Sequence, residues 1–381
     1  MQVRYPRHYP GLDGLRGLAI LLVIPCNANV VSPVISGPFR SLTVLIDRGW
    51  IGVQLFFVLS GFLITEQLYT TRHVSNYFSG FYARRILRIF PLFFGAVALG
   101  LVLMPLLGGR SYTGSEIPTW ILWFGLMFIN WTEPLGQGIP GFPQFWSLAV
   151  EEQFYAVWPF VVRAFASRLF TVAIVLAVLS LAIRVFMRLI GMMPAMVYMW
   201  TMCRMDALAF GAIAAVVVQR WRVKKTMPTV WPWLGSALVV ALGGALCTRL
   251  YASDTWPTQT VGYTCLGVAF MLLLLGVVAN DISSRRVRGL AVLRSRFIGS
   301  VGRYSYGMYV VHMFFVIFAA EWLNRIAAPF GDARMLICAL VVIALSYATG
   351  FLTYHVYEKH FLRLGRRFAP VRLESADSSG G

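Results

Sequence analysis

Ten apolar runs recur along the chain, at 16–34, 50–68, 86–107, 145–162, 169–190, 196–218, 230–250, 260–279, 301–320 and 335–356. Each is near the roughly 20 residues that a helix needs to cross a bilayer. Runs of that length predict helices rather than strands, so the expected fold class is all-α, a polytopic integral membrane protein of about ten transmembrane helices. A further piece, Trp120 to Trp131, is too short to span and rich in Trp, and reads as an interfacial or re-entrant segment. The longest expected extracytoplasmic segment is 108–144, with Gly, Pro and aromatics. One membrane domain is expected over 1–367, followed by a disordered tail over 368–381 that ends ESADSSGG. No strong internal repeat of the transporter kind is visible.

Composition narrows the class further. Hydrophobic residues are 58% of the 381 and charged residues only 13%, at a mean hydropathy of +0.70. That charged share is about half that of a soluble domain. A soluble domain, a disordered chain and a protein working mainly on nucleic acid are thereby excluded. The net charge of +18 points instead to an anionic membrane face. With ten spans both termini share one side, and 21 of the 33 Lys and Arg residues fall there, against five on the other side and seven inside the spans. The bias predicts cytoplasmic N- and C-termini in the inner membrane. The first apolar run lacks a small-residue cleavage site, so no removable leader is expected. Five cysteines lie in apolar stretches without metal-ligand spacing and read as small core residues rather than disulfides. No metal site is expected.

Ionisable groups inside spans are costly and mark function. Arg16, Arg88 and Arg303 fall at the cytoplasmic ends of spans, whereas Glu151, Glu152, Arg204 and Asp206 fall in outer halves. Asn27 and His312 each lie about 16 Å up their spans, near the midplane. Arg85 and Arg88, at i and i+3 in YARRILRIFP, share a helix face and can reach one anion. Glu151 and Glu152 point about 100° apart. One is expected to line a cavity while the other pairs with Arg204. Arg204 and Asp206 are two apart and do not face each other. Their bland interpretation is as structural ties. Ser60 fits a small-residue helix contact better than a nucleophile. Trp120, Trp123, Trp131 and Trp146 are candidates to floor a sugar site.

Six segments then carry a resemblance: LDGLRGLAILLV (12–23), GVQLFFVLSGFLIT (52–65), YARRILRIFP (82–91), FWSLAVEEQFYAVWP (145–159), RMDALAFGAIAA (204–215) and YSYGMYVVH (304–312). In this order they resemble the acyltransferase 3 family, membrane enzymes that O-acylate extracellular carbohydrate. The resemblance implies about ten spans. It also implies transfer of an acyl group, acetyl in the first instance, from cytosolic acyl-CoA to a hydroxyl of an extracytoplasmic glycan or glycolipid. Acyl-CoA is then a consumed donor, with no bound cofactor. Arg85 and Arg88 would engage its phosphates, Arg16 would support the first-span site, and Glu151 and Glu152 would organise the acceptor or relay protons.

Two positions depart from the family pattern. Ten residues separate Arg16 from position 27, where the family places a histidine and this chain has Asn27; Gln54 stands where the family has an acid. An amide hydrogen-bonds but takes no proton, whereas acyl transfer to a hydroxyl needs a base or an acyl-carrying nucleophile. Impaired catalysis is therefore one expectation, with Glu151, Glu152 or His312 as a relocated base. A catalytically silent homologue that binds donor or glycan, or assists a partner, is a second. A transporter is a third.

Overall fold

The computed structural model describes residues 6, 8–29, 40–106, 125, 127–136, 142–283, 286–318, 325 and 334–369. Among them every regular element is helical. The helices are α1 (Pro10–Asn29), α2 (Arg40–Asp47), α3 (Ile51–Thr70), α4 (Tyr77–Leu106), α5 (Ile129–Thr132), α6 (Phe145–Ala164), α7 (Leu169–Leu189), α8 (Pro194–Met199), α9 (Met205–Lys224), α10 (Trp231–Cys247), α11 (Tyr263–Ile282), α12 (Arg296–Phe318), α13 (Arg334–Thr353) and α14 (Lys359–Gly365). Single π-helical turns precede α11 at Thr258–Gly262 and follow α13 at Tyr354–Glu358.

Each predicted apolar run overlaps helical chain, but among the described residues six helical segments are both long and apolar enough to cross a membrane: Pro10–Ala28, Leu42–Thr70, Tyr77–Val102, Ala166–Leu189, Thr258–Ile282 and Leu336–Phe368. Trp231–Cys247 is shorter, at 17 residues. Helices α6, α9 and α12 carry ionisable side chains that lower their apolarity: Glu151, Glu152 and Arg163; Asp206, Arg220, Arg222 and Lys224; and Arg296, Arg303 and His312. The run at 196–218 is not one helix. Its chain is extended at Trp200 (ψ 136°) and turns through Thr201–Cys203, and α9 begins only at Met205. The break places Asp206 in the first turn of α9, where a carboxylate complements the helix dipole. Helix α4 starts nine residues before the predicted run, which puts Arg84 and Arg85 on the helix. Half of the expected interfacial segment lies outside the described residues, as does the tail beyond 369.

Close helix packing relies on small residues, as is usual in lipid. A Cβ on Gly61 of α3 would sit 2.0 Å from the Leu208 carbonyl oxygen of α9, and one on Gly211 would sit 2.1 Å from the Val58 oxygen. The two main chains therefore touch, and neither can yield as a side chain would. Gly211→Ala is expected to lower stability by about 1–3 kcal/mol through forced separation of the helices, read as a lower melting temperature of the detergent-purified protein. The N-terminal end of α1 is held by α11, where Asp281 accepts a hydrogen bond from the Gly11 N–H at 2.9 Å. Pro25 near the other end of α1 leaves the Leu21 carbonyl without its helical donor.

Candidate active site

Three adjoining cavities run between the two ends of α1. The first, of about 400 Å³, lies at the N-terminal end and is lined by Arg16, Arg85, Arg88 and Arg303, with Asp13, Glu66 and Glu358 among them. The second is a narrow neck of about 80 Å³ that shares Arg16, Ser60 and Tyr306 with the first. The third, of about 200 Å³, shares Val53 and Tyr309 with the neck and reaches Cys26 and Asn27 at the other end of α1. Asp13 and Asn27 are about 20 Å apart along the helix. One end of the passage is thus cationic and the other aromatic, walled by Trp50, Trp146 and Tyr198.

The amphipathic spacing of α4 explains the cationic end. Arg85 and Arg88 both line the first cavity, as their i, i+3 spacing predicts. Arg85 donates to Gln67 Oε1 at 3.4 Å and lies over the Phe81 and Tyr155 rings, 5.9 and 5.4 Å from their centroids. Arg16 is placed by α1 so that it faces the first cavity and the neck together.

The neck holds a hydroxyl–carboxylate cluster. Ser60 donates to Glu151 Oε1 and Tyr155 to Glu151 Oε2, each at 2.9 Å. Glu151 lines the neck and Glu152 lines none of these cavities, in keeping with their 100° divergence. The sequence spacing of Ser60 signalled a helix contact, and Gly61 beside it makes that contact. The hydroxyl facing Glu151 was not legible from spacing, and neither were Tyr155, Tyr306 and Tyr309 as lining residues.

Asn27 and His312 meet in the third region. The Asn27 amide nitrogen lies 2.9 Å from His312 Nε2, and His312 Nδ1 lies 2.7 Å from the Tyr309 carbonyl oxygen. A carbonyl only accepts, so Nδ1 carries the proton. Nε2 is then left to accept from the Asn27 N–H. Gln54 is elsewhere: its amide donates to the Tyr263 carbonyl of α11 at 2.9 Å, and its Oε1 is buried without a partner. Asn27 and Gln54, the two amides singled out in the sequence, have separate partners and do not form a pair here.

Arg204 and Asp206 also part company. Asp206 is fully buried and bound to Arg184 of α7 at 2.7 Å, with Thr264 donating to the same carboxylate at 3.1 Å. Arg204 pairs with neither glutamate. This corrects the expected Glu–Arg204 contact, because the break before α9 turns its guanidinium into a box of rings from Phe57, Trp146, Tyr198 and Tyr263. The Tyr263 centroid is 4.3 Å away, and cation–π attraction replaces hydrogen bonds that all three guanidinium nitrogens lack.

Of the four candidate tryptophans, Trp146 lines the third cavity, Trp131 stacks on Trp200 at 4.9 Å, and Trp120 and Trp123 lie outside the described residues. A web of amides fixes the nearby turn: Gln153 donates to the Met127 carbonyl at 2.7 Å and to Asn130 Oδ1 at 2.8 Å, and Thr201 donates to Gln153. Glu133 in this turn is half-buried with Oε2 unpaired, and burial pushes its carboxyl up to about 7. A carboxyl raised on folding takes stability away as pH climbs from its unfolded value through the raised one. Glu133→Gln is expected to raise the melting temperature at pH 8 and leave it nearly unchanged at pH 4, measured by thermal scanning at both.

The chain is similar to known proteins over most of its length. A family model described as an acyltransferase domain matches residues 9–354. The chain therefore belongs to this acyltransferase family. It is 28% identical over 330 residues to the peptidoglycan O-acetyltransferase OatA of Listeria monocytogenes, covering 81% of this chain and 50% of that protein. It is 26% identical over 353 residues to the O-acetyltransferase OatA of Staphylococcus aureus, covering 83% of this chain and 52% of that one. The chain spans about half the length of these curated relatives. No solved structure matches it.

Proposed function

We propose that the protein transfers an acetyl group from cytosolic acetyl-CoA to a hydroxyl of a cell-wall glycan on the far side of the inner membrane. The carrying observation is the run of three cavities that share lining residues, cationic at one end and aromatic at the other. The bias of Lys and Arg supports placing the cationic end, with both termini, in the cytoplasm. Arg16, Arg85 and Arg88 suit the phosphates of the donor, and Trp146 and Tyr198 suit the apolar face of a sugar ring. In the reaction the acceptor oxygen bonds to the acetyl carbonyl carbon as the thioester C–S bond breaks. The hydroxyl proton passes to a base and ends on the CoA thiol. Glu151, whose carboxylate lines the neck, is the group we assign to take it, with His312, held behind Asn27, as the alternative.

Asn27 favours a second reading, a homologue that binds donor or glycan without turnover, because its amide takes no proton. One measurement separates the two: mass spectrometry of cell-surface glycans with and without the chain, alongside release of free CoA thiol by the purified protein. Acetylated glycan that depends on the chain supports the enzyme. Donor binding with no thiol release and no glycan change supports the silent homologue.

A further inference from the structure

A fourth hollow, of about 170 Å³, opens beside the first cavity. Four arginines line it: Arg84, Arg85 and Arg88 from α4, and Arg366 from the turn that follows α14. Among the described residues that line it there is no carboxylate, whereas the first cavity mixes its arginines with Asp13, Glu66 and Glu358. The two spaces share Gln67, Arg85, Arg88 and Leu362, so these side chains form a partition between them. Arg84 and Arg88 are four apart and Arg85 and Arg88 three apart, which puts all three on one stripe of the helix.

The placement of Arg366 is built. The Arg84 guanidinium donates to the Phe368 carbonyl, and Asn76 donates to the Ala369 carbonyl at 3.0 Å. These bonds latch the C-terminal turn onto α4 and hold Arg366 at the hollow. Four guanidinium groups around one small space repel one another unless an anion sits among them. Their planar forks match the oxygens of a phosphate.

We propose that this hollow binds a terminal phosphate monoester, the ribose 3′-phosphate of the CoA donor, while the donor's pyrophosphate occupies the first cavity. The inference rests on the donor reading above and adds to it. Coenzyme A carries two separated phosphate centres, and the chain offers two separated arginine-lined spaces with a shared wall. Arg366 is then a specificity-determining residue that distinguishes a donor with the monoester from one without it. An anionic lipid headgroup ending in a phosphate has the same chemistry, so the test includes one.

The test titrates the full chain, in phosphatidylcholine nanodiscs, with acetyl-CoA and with acetyl-3′-dephospho-CoA by calorimetry. Loss of the monoester is expected to weaken binding about tenfold or more, as for a charge-assisted contact. Arg366→Ala, at an exposed side chain, is expected to weaken acetyl-CoA by a similar factor and to leave the dephospho donor unchanged, with Arg366→Lys recovering part of the loss. Doping the discs with phosphatidic acid is expected to leave both affinities as they were. Equal affinity for the two donors, or an equal loss for both in Arg366→Ala, overturns the inference and leaves the donor reading standing. Discrimination that disappears with phosphatidic acid overturns it in favour of a lipid headgroup. If neither donor binds the unaltered protein, the donor reading falls and the inference with it.

Discussion

Asn27→His is expected to raise acetyl transfer by about 100-fold or more, the lower range of what a positioned general base contributes. The geometry favours this because His312 Nε2 accepts the Asn27 N–H at 2.9 Å, with its own tautomer fixed by the Tyr309 carbonyl. An imidazole at position 27 can donate one N–H to that same nitrogen. Its second nitrogen then carries a lone pair at the wall of the third cavity, which Asn27 lines. Gln54→Glu is expected to add nothing to the rate. A carboxylate cannot replace the amide donor that now satisfies the Tyr263 carbonyl, a contact made on α11 away from Asn27. The measurement is acetylation of a glycan fragment in membrane vesicles supplied with acetyl-CoA. A rate within twofold of the unaltered chain would show that the base is at another position, Glu151 or His312.

The second large effect is on donor binding. Arg85→Ala combined with Arg88→Ala is expected to weaken acetyl-CoA affinity by about 100-fold at low salt, from two charge-assisted contacts of about 1.5–3 kcal/mol each, with part of the loss offset by other cations. The remaining affinity should depend less on ionic strength than that of the unaltered protein, since fewer fixed charges face the polyanion. Among the described residues neither arginine forms an ion pair with a carboxylate, and both line the first cavity and the hollow beside it. Calorimetry across a salt series reads both quantities. Unchanged affinity in the double variant would move the donor away from α4.

The helices were legible because apolar runs of spanning length leave lipid-facing chain little alternative to helix. Their breaks were not. Nothing in the periodicity around Trp200 marks the extended residue that ends α8, because Arg204 and Asp206 look like costly charges in a span until Arg184 and the ring box are seen around them. Arg85 and Arg88 were readable as a pair, since their spacing on one helix sets a shared face. The Asn27–His312 and Ser60–Glu151 contacts join residues 285 and 91 positions apart, and only tertiary packing brings them together. For the same reason the sequence points to one of Glu151 and Glu152 as the partner of Arg204: burial alone demands a counter-charge, but aromatic faces meet that demand instead.

Gly61 and Gly211 bring the backbones of α3 and α9 into contact immediately beside Ser60. Helix α3, which carries Val53, Phe56 and Ser60 to the neck, is therefore held against α9 by main chain and cannot retreat to widen the passage. A family member that handles a longer acyl chain would have to find the room by trimming side chains such as Phe56 and Leu148, not by sliding its helices apart.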